Sequence, residues 1–242
     1  MSRPIPILHQ DTSFLAVDKP PGIPTLFSAR SRQPDLVSLL QSQLDDRSLN
    51  AAHRLDAETS GVLLLARNAR AAALLHSAFA ERRARKEYLA ILAGHLAAPV
   101  EVDAGLVPDP ESRAPGRYKT SPSTDATPAR TRFEPIHCHD GFTLARALPF
   151  TGRTHQIRVH AASLRLAIVG DKLYGPDETI YLRHGKVGWE ESMSAPLHGL
   201  RRHALHARRL VVELDAFRLD FVAPLPEDLA AFCRDRLAMT QE

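Results

Sequence analysis

His53-Arg54-Leu55-Asp56-Ala57-Glu58-Thr59-Ser60-Gly61 runs straight into Val62-Leu63-Leu64-Leu65-Ala66. The second half is short, wholly apolar and bounded by turn-forming residues, which reads as a buried strand. The first half carries a carboxylate close to an arginine, then small hydroxyl residues and a glycine. It reads as a tight loop held at the start of that strand. Loops fixed by a rigid element are where chemistry concentrates. An Arg54–Asp56 ion pair bracing a turn is the plainer reading of the same residues.

Working outward, Ile5–Leu8 and Phe14–Val17 flank Asp11-Thr12-Ser13 and predict a hairpin. Residues 36–44 predict a short helix. Ala71, Leu74, Leu75, Ala78 and Phe79 form an i, i+3, i+4 stripe that predicts a second. Arg82-Arg83-Ala84-Arg85-Lys86 follows it, a cationic end suited to the helix dipole. Lys86–Gly94 and Phe142–Phe150 read as strands. Residues 107–128, rich in Pro, Ser, Thr and Arg and without periodicity, read as a long surface excursion. Thr154 is a candidate N-cap for a helix whose Ile157, Ala161, Leu164 and Ile168 face the core. Leu210–Leu214 and Phe217–Phe221 form a second hairpin pattern, and Pro226-Glu227-Asp228 opens a final helix over about 226–237. Hairpins with interspersed helices predict an α+β fold.

The 242 residues, 44% hydrophobic, suffice for a sizeable core. No apolar run approaches the roughly 18 residues of a membrane span, and the first residues lack a signal-peptide core. Cys138 and Cys233 stand far apart without metal or redox spacing, which points to the reducing cytoplasm. Net charge is only +3, but Arg and Lys cluster at 82–86 and from Arg201-Arg202 to Arg208-Arg209, which suits a polyanionic partner. A metal-hydrolase site assembled from His53, His155, His160, Asp56 and Asp171 is a competing reading. It fails on spacing, because His155 and His160 are five apart rather than four on one helical face.

The segment His53–Ala66 resembles the signature H-R-L-D-x-x-T-S-G-x-L-L-L-A of the RluA family of RNA pseudouridine synthases. Lys86-Glu87-Tyr88-Leu89-Ala90-Ile91-Leu92-Ala93-Gly94 resembles the family's K-x-Y-x-A-x-x-x-G strand. Gly152-Arg153-Thr154-His155-Gln156-Ile157-Arg158-Val159-His160, followed by Gly170-Asp171-Lys172-Leu173-Tyr174-Gly175, continues it in order. Softer matches are Asp18-Lys19-Pro20-Pro21-Gly22 and Leu205-His206-Ala207, so the likeness runs from about residue 13 to about 222. It implies one catalytic domain over 1–242 with a central mixed, largely antiparallel sheet flanked by helices. The chain leaves no room for the S4-type RNA-binding domain that many relatives carry before the core.

The implied activity is cofactor-independent isomerisation of uridine to pseudouridine in structured ribosomal or transfer RNA, by a monomer. A catalytically dead RNA-binding factor on the same scaffold is the alternative class. The resemblance implies Asp56 as the catalytic carboxylate, Tyr88 as the residue stacking on the base and moving a proton, and Arg158 as the partner of Asp56. It implies Arg54 in holding the flipped nucleotide, since a stacked uridine is out of reach of an active site. His53, Thr59, Arg153, His155, Arg208 and Arg209 are further candidate RNA contacts. The family's Gly-His-Pro after the third motif is replaced here by Arg165-Leu166-Ala167, which bears on substrate identity more than on catalysis.

Overall fold

A computed structural model describes residues 4–27 and 34–240. In chain order the elements are β1 (Ile7–Gln10), β2 (Phe14–Lys19), α1 (Leu36–Leu44), β3 (Asn50–Ala51), β4 (Ser60–Ala66), α2 (Ala69–Ala80), β5 (Ala84–Ala93), β6 (Val100–Asp103), β7 (Gly105–Pro108), β8 (Tyr118–Ser121), β9 (Arg130–His139), β10 (Phe142–Pro149), α3 (Gln156–Ser163), α4 (Thr179–Val187), β11 (Leu205–Glu213), β12 (Arg218–Val222) and α5 (Glu227–Leu237). They fall into two compact units, Met1–Tyr88 with His206–Leu225, and Leu89–Leu205 with Pro226–Glu242. Among the described residues no helix is long and apolar enough to cross a membrane.

The first unit is built around β4. Its neighbours run β1-β2-β4-β11-β5, with β3 also on β4 and β12 on β11. β2 is antiparallel to β4 from Phe14 opposite Ala66 to Lys19 opposite Gly61. β11 is parallel to it, His206 opposite Ser60 and Ala207 opposite Gly61. All seven residues of β4 are buried, because its two faces serve different clusters. Val62, Leu64 and Ala66 pack with Phe14, Ala16 and Val212 under α2, which contributes Ala71, Leu75 and Ala78. Leu63 and Leu65 pack with Leu15 and Val17 under α1, which contributes Leu36, Val37 and Leu40. A strand covered on both sides shows a continuous apolar run rather than alternation.

Asp35 and Asn68 cap α1 and α2, their side chains accepting the N–H of Ser38 and Ala71 at 3.0 and 2.8 Å. The cations after α2 serve carboxylates rather than the dipole. Arg83 pairs with Glu81 and Asp215, and Arg85 with Glu213.

The second unit orders its strands β5-β10-β9-β6, with β9 antiparallel to both β10 and β6. α5 packs on β9 and β10, with Phe232 edge-on to Phe142 at 5.2 Å. The stretch expected to be an irregular excursion holds a hairpin, β7 against β8, in register from Gly105/Ser121 to Pro108/Tyr118. Its far end is tied down by Glu178, which accepts from the Ser112 hydroxyl and from Arg117. Its apolar anchors, Leu106, Ala114 and Tyr118, which pack with Val159 and Leu173, are too widely spaced to form a period, which is why periodicity did not reveal it. The α+β class and the mixed, largely antiparallel pairing agree with expectation. β1 starts two residues later than predicted, because the Ile5 backbone is bound instead by the Gln43 side chain.

Gly61 is the tightest point of the first unit. At φ +110 its added Cβ would lie 2.3 Å from the Ala207 carbonyl oxygen. Gly61→Ala is therefore expected to destabilise the protein by roughly 2–5 kcal/mol, through left-handed strain plus forced separation of β4 from β11. Urea unfolding followed by circular dichroism measures it. A midpoint indistinguishable from wild type would contradict the close approach.

Candidate active site

The loop before β4 is fixed residue by residue. His53 turns inward: its Nε2 accepts the Leu64 N–H at 3.1 Å and its ring stacks on Phe79 at 5.0 Å. Burial, helped by the charge of Lys86, pushes its pKa down to about 3, so the ring is neutral. Leu55 is held at both ends of its peptide, its N–H donating to the Thr25 hydroxyl at 3.0 Å and its carbonyl accepting from that hydroxyl at 2.9 Å. The carbonyl of Ala57 accepts from the Gly22 N–H at 2.8 Å and from Lys19 Nζ at 2.9 Å. Lys19 is fully buried, and its ammonium also donates to the carbonyls of Pro20 and Ile23. The Thr59 N–H closes the turn on the Asp56 carbonyl at 3.1 Å. Ser60 Oγ bonds His206 Nδ1 at 3.0 Å.

Asp56 therefore sits partly exposed between two neighbours whose backbones are clamped by the 19–25 segment. Arg54 is exposed and, among the described residues, makes no hydrogen bond, ion pair or ring contact. Tyr88 on β5 packs against the cluster that contains Leu55. Burial first, and the Asp56 charge second, push its phenol pKa well up. Its hydroxyl stays protonated and feels the Asp56 carboxylate. Of the candidate RNA contacts in this loop, His53 is a brace and Thr59 is buried.

In the second unit, Arg158 is buried on α3 and forks onto Asp171, Nε to Oδ2 at 2.7 Å and Nη2 to Oδ1 at 2.8 Å. Asp171 Oδ1 also accepts the N–H groups of Leu173 and Tyr174, each at 3.0 Å. Burial pushes the Asp171 carboxyl up, but the Arg158 charge and hydrogen bonds, with His203 and the Tyr174 N–H, outweigh it and hold it well below the carboxylate range. The Arg158 guanidinium lies over the Tyr174 ring at 5.0 Å. The Tyr174 hydroxyl accepts the Tyr118 N–H and meets His155 Nδ1, both at 3.0 Å.

Thr154 is not the N-cap. α3 starts at Gln156, after His155 in the left-handed region at φ +58. The Gln156 side chain folds back to accept from the Thr151 hydroxyl and the Arg153 N–H. α3 is also buried on all sides rather than amphipathic. His160 is a brace between Thr131 and the Ala104 carbonyl.

Arg153 is exposed, its Nε on the Pro128 carbonyl. Arg208 reaches the Ala223 carbonyl and Arg209 forks onto Asp220. Arg202 is buried on Asp228. Among the described residues no group of His, Cys, Asp and Glu is placed to hold a metal ion.

Sequence reasoning passed over Thr25 and gave Lys19 no role, although the Asp18–Gly22 stretch was the available signal. It also missed Asp171 as the carboxylate that Arg158 holds within its own unit.

The RNA pseudouridylate synthase family model matches residues 13–163, a span holding Asp56, Tyr88 and Arg158. The chain belongs to that family. Ribosomal large subunit pseudouridine synthase D of Xylella fastidiosa is 35% identical over 234 residues, covering 93% of this chain and 67% of that protein. The dual-specificity RNA pseudouridine synthase RluA of Vibrio vulnificus is 36% identical over 177 residues, 69% of this chain and 68% of that protein. Among solved structures, human RNA pseudouridylate synthase domain containing 4 superposes with a TM-score of 0.72 at 28% identity, covering 95% of this chain and 92% of that one. Domain containing 1 superposes at 0.75 and 25% identity, covering 94% and 86%. This pseudouridine synthase is an isomerase acting on uridine in RNA.

Thr25→Val keeps the side-chain volume but removes both bonds to Leu55. It is expected to cost about 1–3 kcal/mol of stability and about tenfold or more in single-turnover rate, with RNA affinity nearly unchanged. Wild-type turnover in this variant would mean that the clamp does not position Asp56.

His53 gives a pH signature. Below pH 6.5 the unfolded chain binds a proton on this ring that the folded chain refuses until about pH 3. Stability therefore rises with pH across that window and is lost as pH falls through it, by up to about 1.4 kcal/mol per unit. Gln accepts the Leu64 N–H without titrating, so His53→Gln should flatten the slope of unfolding free energy between pH 6.5 and 4. Parallel slopes for the two proteins would contradict a neutral, inward-turned ring.

Proposed function

We propose that this synthase modifies one or more uridines in structured ribosomal or transfer RNA, with Asp56 as the catalytic carboxylate and no cofactor. The observation that carries the reading is Asp56 held between two clamped residues, next to a tyrosine kept protonated by burial and by that same carboxylate. The reaction breaks the bond from uracil N1 to ribose C1′ and joins C1′ to C5. The C5 proton leaves and N1 ends protonated, so atoms balance without a co-reactant. An ionised carboxylate supplies the nucleophile or stabilises the charged sugar. A phenol pushed up in pKa is a poor base at neutral pH, so Tyr88 serves by stacking on the base and donating a hydrogen bond.

Arg54, exposed and uncommitted on a fixed loop, is proposed to hold the strand while the target nucleotide is turned out. Arg153, His155, Arg208 and Arg209 remain proposed RNA contacts, Arg209 only by giving up its pair with Asp220. Arg158 is proposed for the reaction on the motif in which it stands. Ribosomal RNA is favoured by the name of one relative, a ribosomal large-subunit enzyme, and transfer RNA is proposed on the resemblance of the motifs. The family match runs unbroken through residue 88, which supports the whole chain acting as one catalytic domain. We further propose a monomer working in the cytoplasm, a compartment that suits the free thiols Cys138 and Cys233.

Asp56→Asn is isosteric but supplies no charged oxygen. It should abolish tritium release from uracil-C5-labelled RNA while filter binding stays near wild type. In the same assay Arg158→Lys, which keeps the charge but loses the fork, should lose turnover far more than affinity. Turnover retained by Asp56→Asn would end the assignment of Asp56, and proportional losses in Arg158→Lys would make Arg158 a phosphate contact.

A further inference from the structure

Tyr174 is buried where β8 packs on α3, and its backbone, ring and hydroxyl serve different partners. Its main chain belongs to a tight turn. The Tyr174 N–H donates to Asp171 Oδ1 at 3.0 Å, and a Cβ on Gly175 would lie 2.1 Å from the Asp171 carbonyl oxygen. The Arg158 guanidinium lies over its ring at 5.0 Å and that of Arg117 at 5.7 Å, both within cation–π reach. Its hydroxyl accepts the N–H of Tyr118, the first residue of β8, and bonds Nδ1 of His155, the left-handed residue that precedes α3. Arg158 is thus gripped along its edge by Asp171 and across its face by Tyr174. The edge contact is local to residues 158–171, whereas the face contact leads to the β7–β8 hairpin. The far end of that hairpin is held by Glu178, which accepts from Ser112, from the Arg113 N–H and from Arg117. Arg117 joins the two, with one nitrogen on Glu178 and its guanidinium over the Tyr174 ring.

We infer that Tyr174 is a positioning residue, which makes the set of the Arg158 guanidinium depend on the seating of the β7–β8 hairpin. The inference rests on the reaction role proposed above for Arg158 and uses contacts of the second unit alone. A bidentate fork fixes the guanidinium edge but leaves it able to tilt about the line of the two hydrogen bonds. A ring across the face removes that tilt, and a hydroxyl bonded to the hairpin fixes the ring. Core packing with Leu106, Ala114, Val159 and Leu173 is the competing role of such a tyrosine. It needs no hydroxyl, because phenylalanine fills the same space. The two roles differ in what they do to rate and to stability.

The test measures single-turnover tritium release from a uracil-C5-labelled large-subunit ribosomal RNA transcript by the full chain, with filter binding and thermal melting alongside. Tyr174→Phe keeps the ring and loses the hydroxyl. Glu178→Ala releases the far end of the hairpin and removes no group from Tyr174 or Arg158. Each should slow the rate about 5–10-fold, with affinity within about twofold of wild type. Both act by one route, so the double variant should be slowed about as much as either alone, not by the product of the two. A wild-type rate in Tyr174→Phe would overturn the inference, as would losses that multiply in the double variant or an affinity that falls in step with the rate. A lowered melting temperature with an unchanged rate would leave Tyr174 a packing residue, which also overturns it. Arg158→Lys, run alongside, separates this inference from the reading beneath it. If Arg158→Lys turns over as wild type, the role proposed for Arg158 fails and the inference falls with it. If it is slow while Tyr174→Phe matches wild type, only the present inference fails.

Discussion

Everything in the first unit depends on β4 being covered on both faces. Seven consecutive buried residues satisfy their backbone only through neighbours on each side, so β2 and β11 must both be in place before the strand is stable. The alternation of its side chains then ties α1 to one face and α2 to the other. A strand bound this way cannot shift register, because a one-residue slip would exchange the two clusters. The loop that precedes it inherits that rigidity.

Rigidity at Ser60 does not by itself orient Asp56, four residues upstream. The segment from Lys19 to Thr25 does so, with backbone and side-chain donors and acceptors placed on Leu55 and Ala57. The buried ammonium of Lys19 is stable there because three carbonyl oxygens surround it, replacing the water it lost. The main chain on either side of Asp56 is thus fixed by that segment. His53 anchors the same loop from the other side as a neutral acceptor, a role closed to an imidazolium.

The fold was legible wherever burial imposed a period or an unbroken apolar run. Residues 36–44 and the stripe on α2 read correctly because each helix has one buried face, and β4 because it has two. The β7–β8 hairpin did not, since its apolar anchors, Leu106, Ala114 and Tyr118, are too widely spaced to form a period, and main-chain pairing and the Glu178 contacts complete its hold. The start of α3 misled because Thr154 has the right chemistry for a cap, while the helix begins at Gln156 without a side-chain cap and the Gln156 side chain instead ties the preceding turn by accepting the Arg153 N–H. In the candidate site, Asp56, Tyr88 and Arg54 were legible from motifs. The parts that hold them were not: a threonine–peptide clamp depends on two segments thirty residues apart meeting, and no local pattern records it.

The same distinction governs the charges. Clusters of Arg and Lys drew attention to 82–86 and 201–209, yet Arg83, Arg85, Arg202 and Arg209 are committed to carboxylates of their own unit. An arginine already forked onto an aspartate must break that pair before it can neutralise a phosphate, so its net gain on binding RNA is small. Cations without such partners gain the full electrostatic benefit and release counterions directly. Arg54, outside the basic clusters, and Arg82, within one, are of this kind, since among the described residues neither side chain makes a hydrogen bond, ion pair or ring contact. Local charge density in the sequence counts cations, whereas RNA binding depends on those left uncommitted by the fold, and only pairing in three dimensions separates the two.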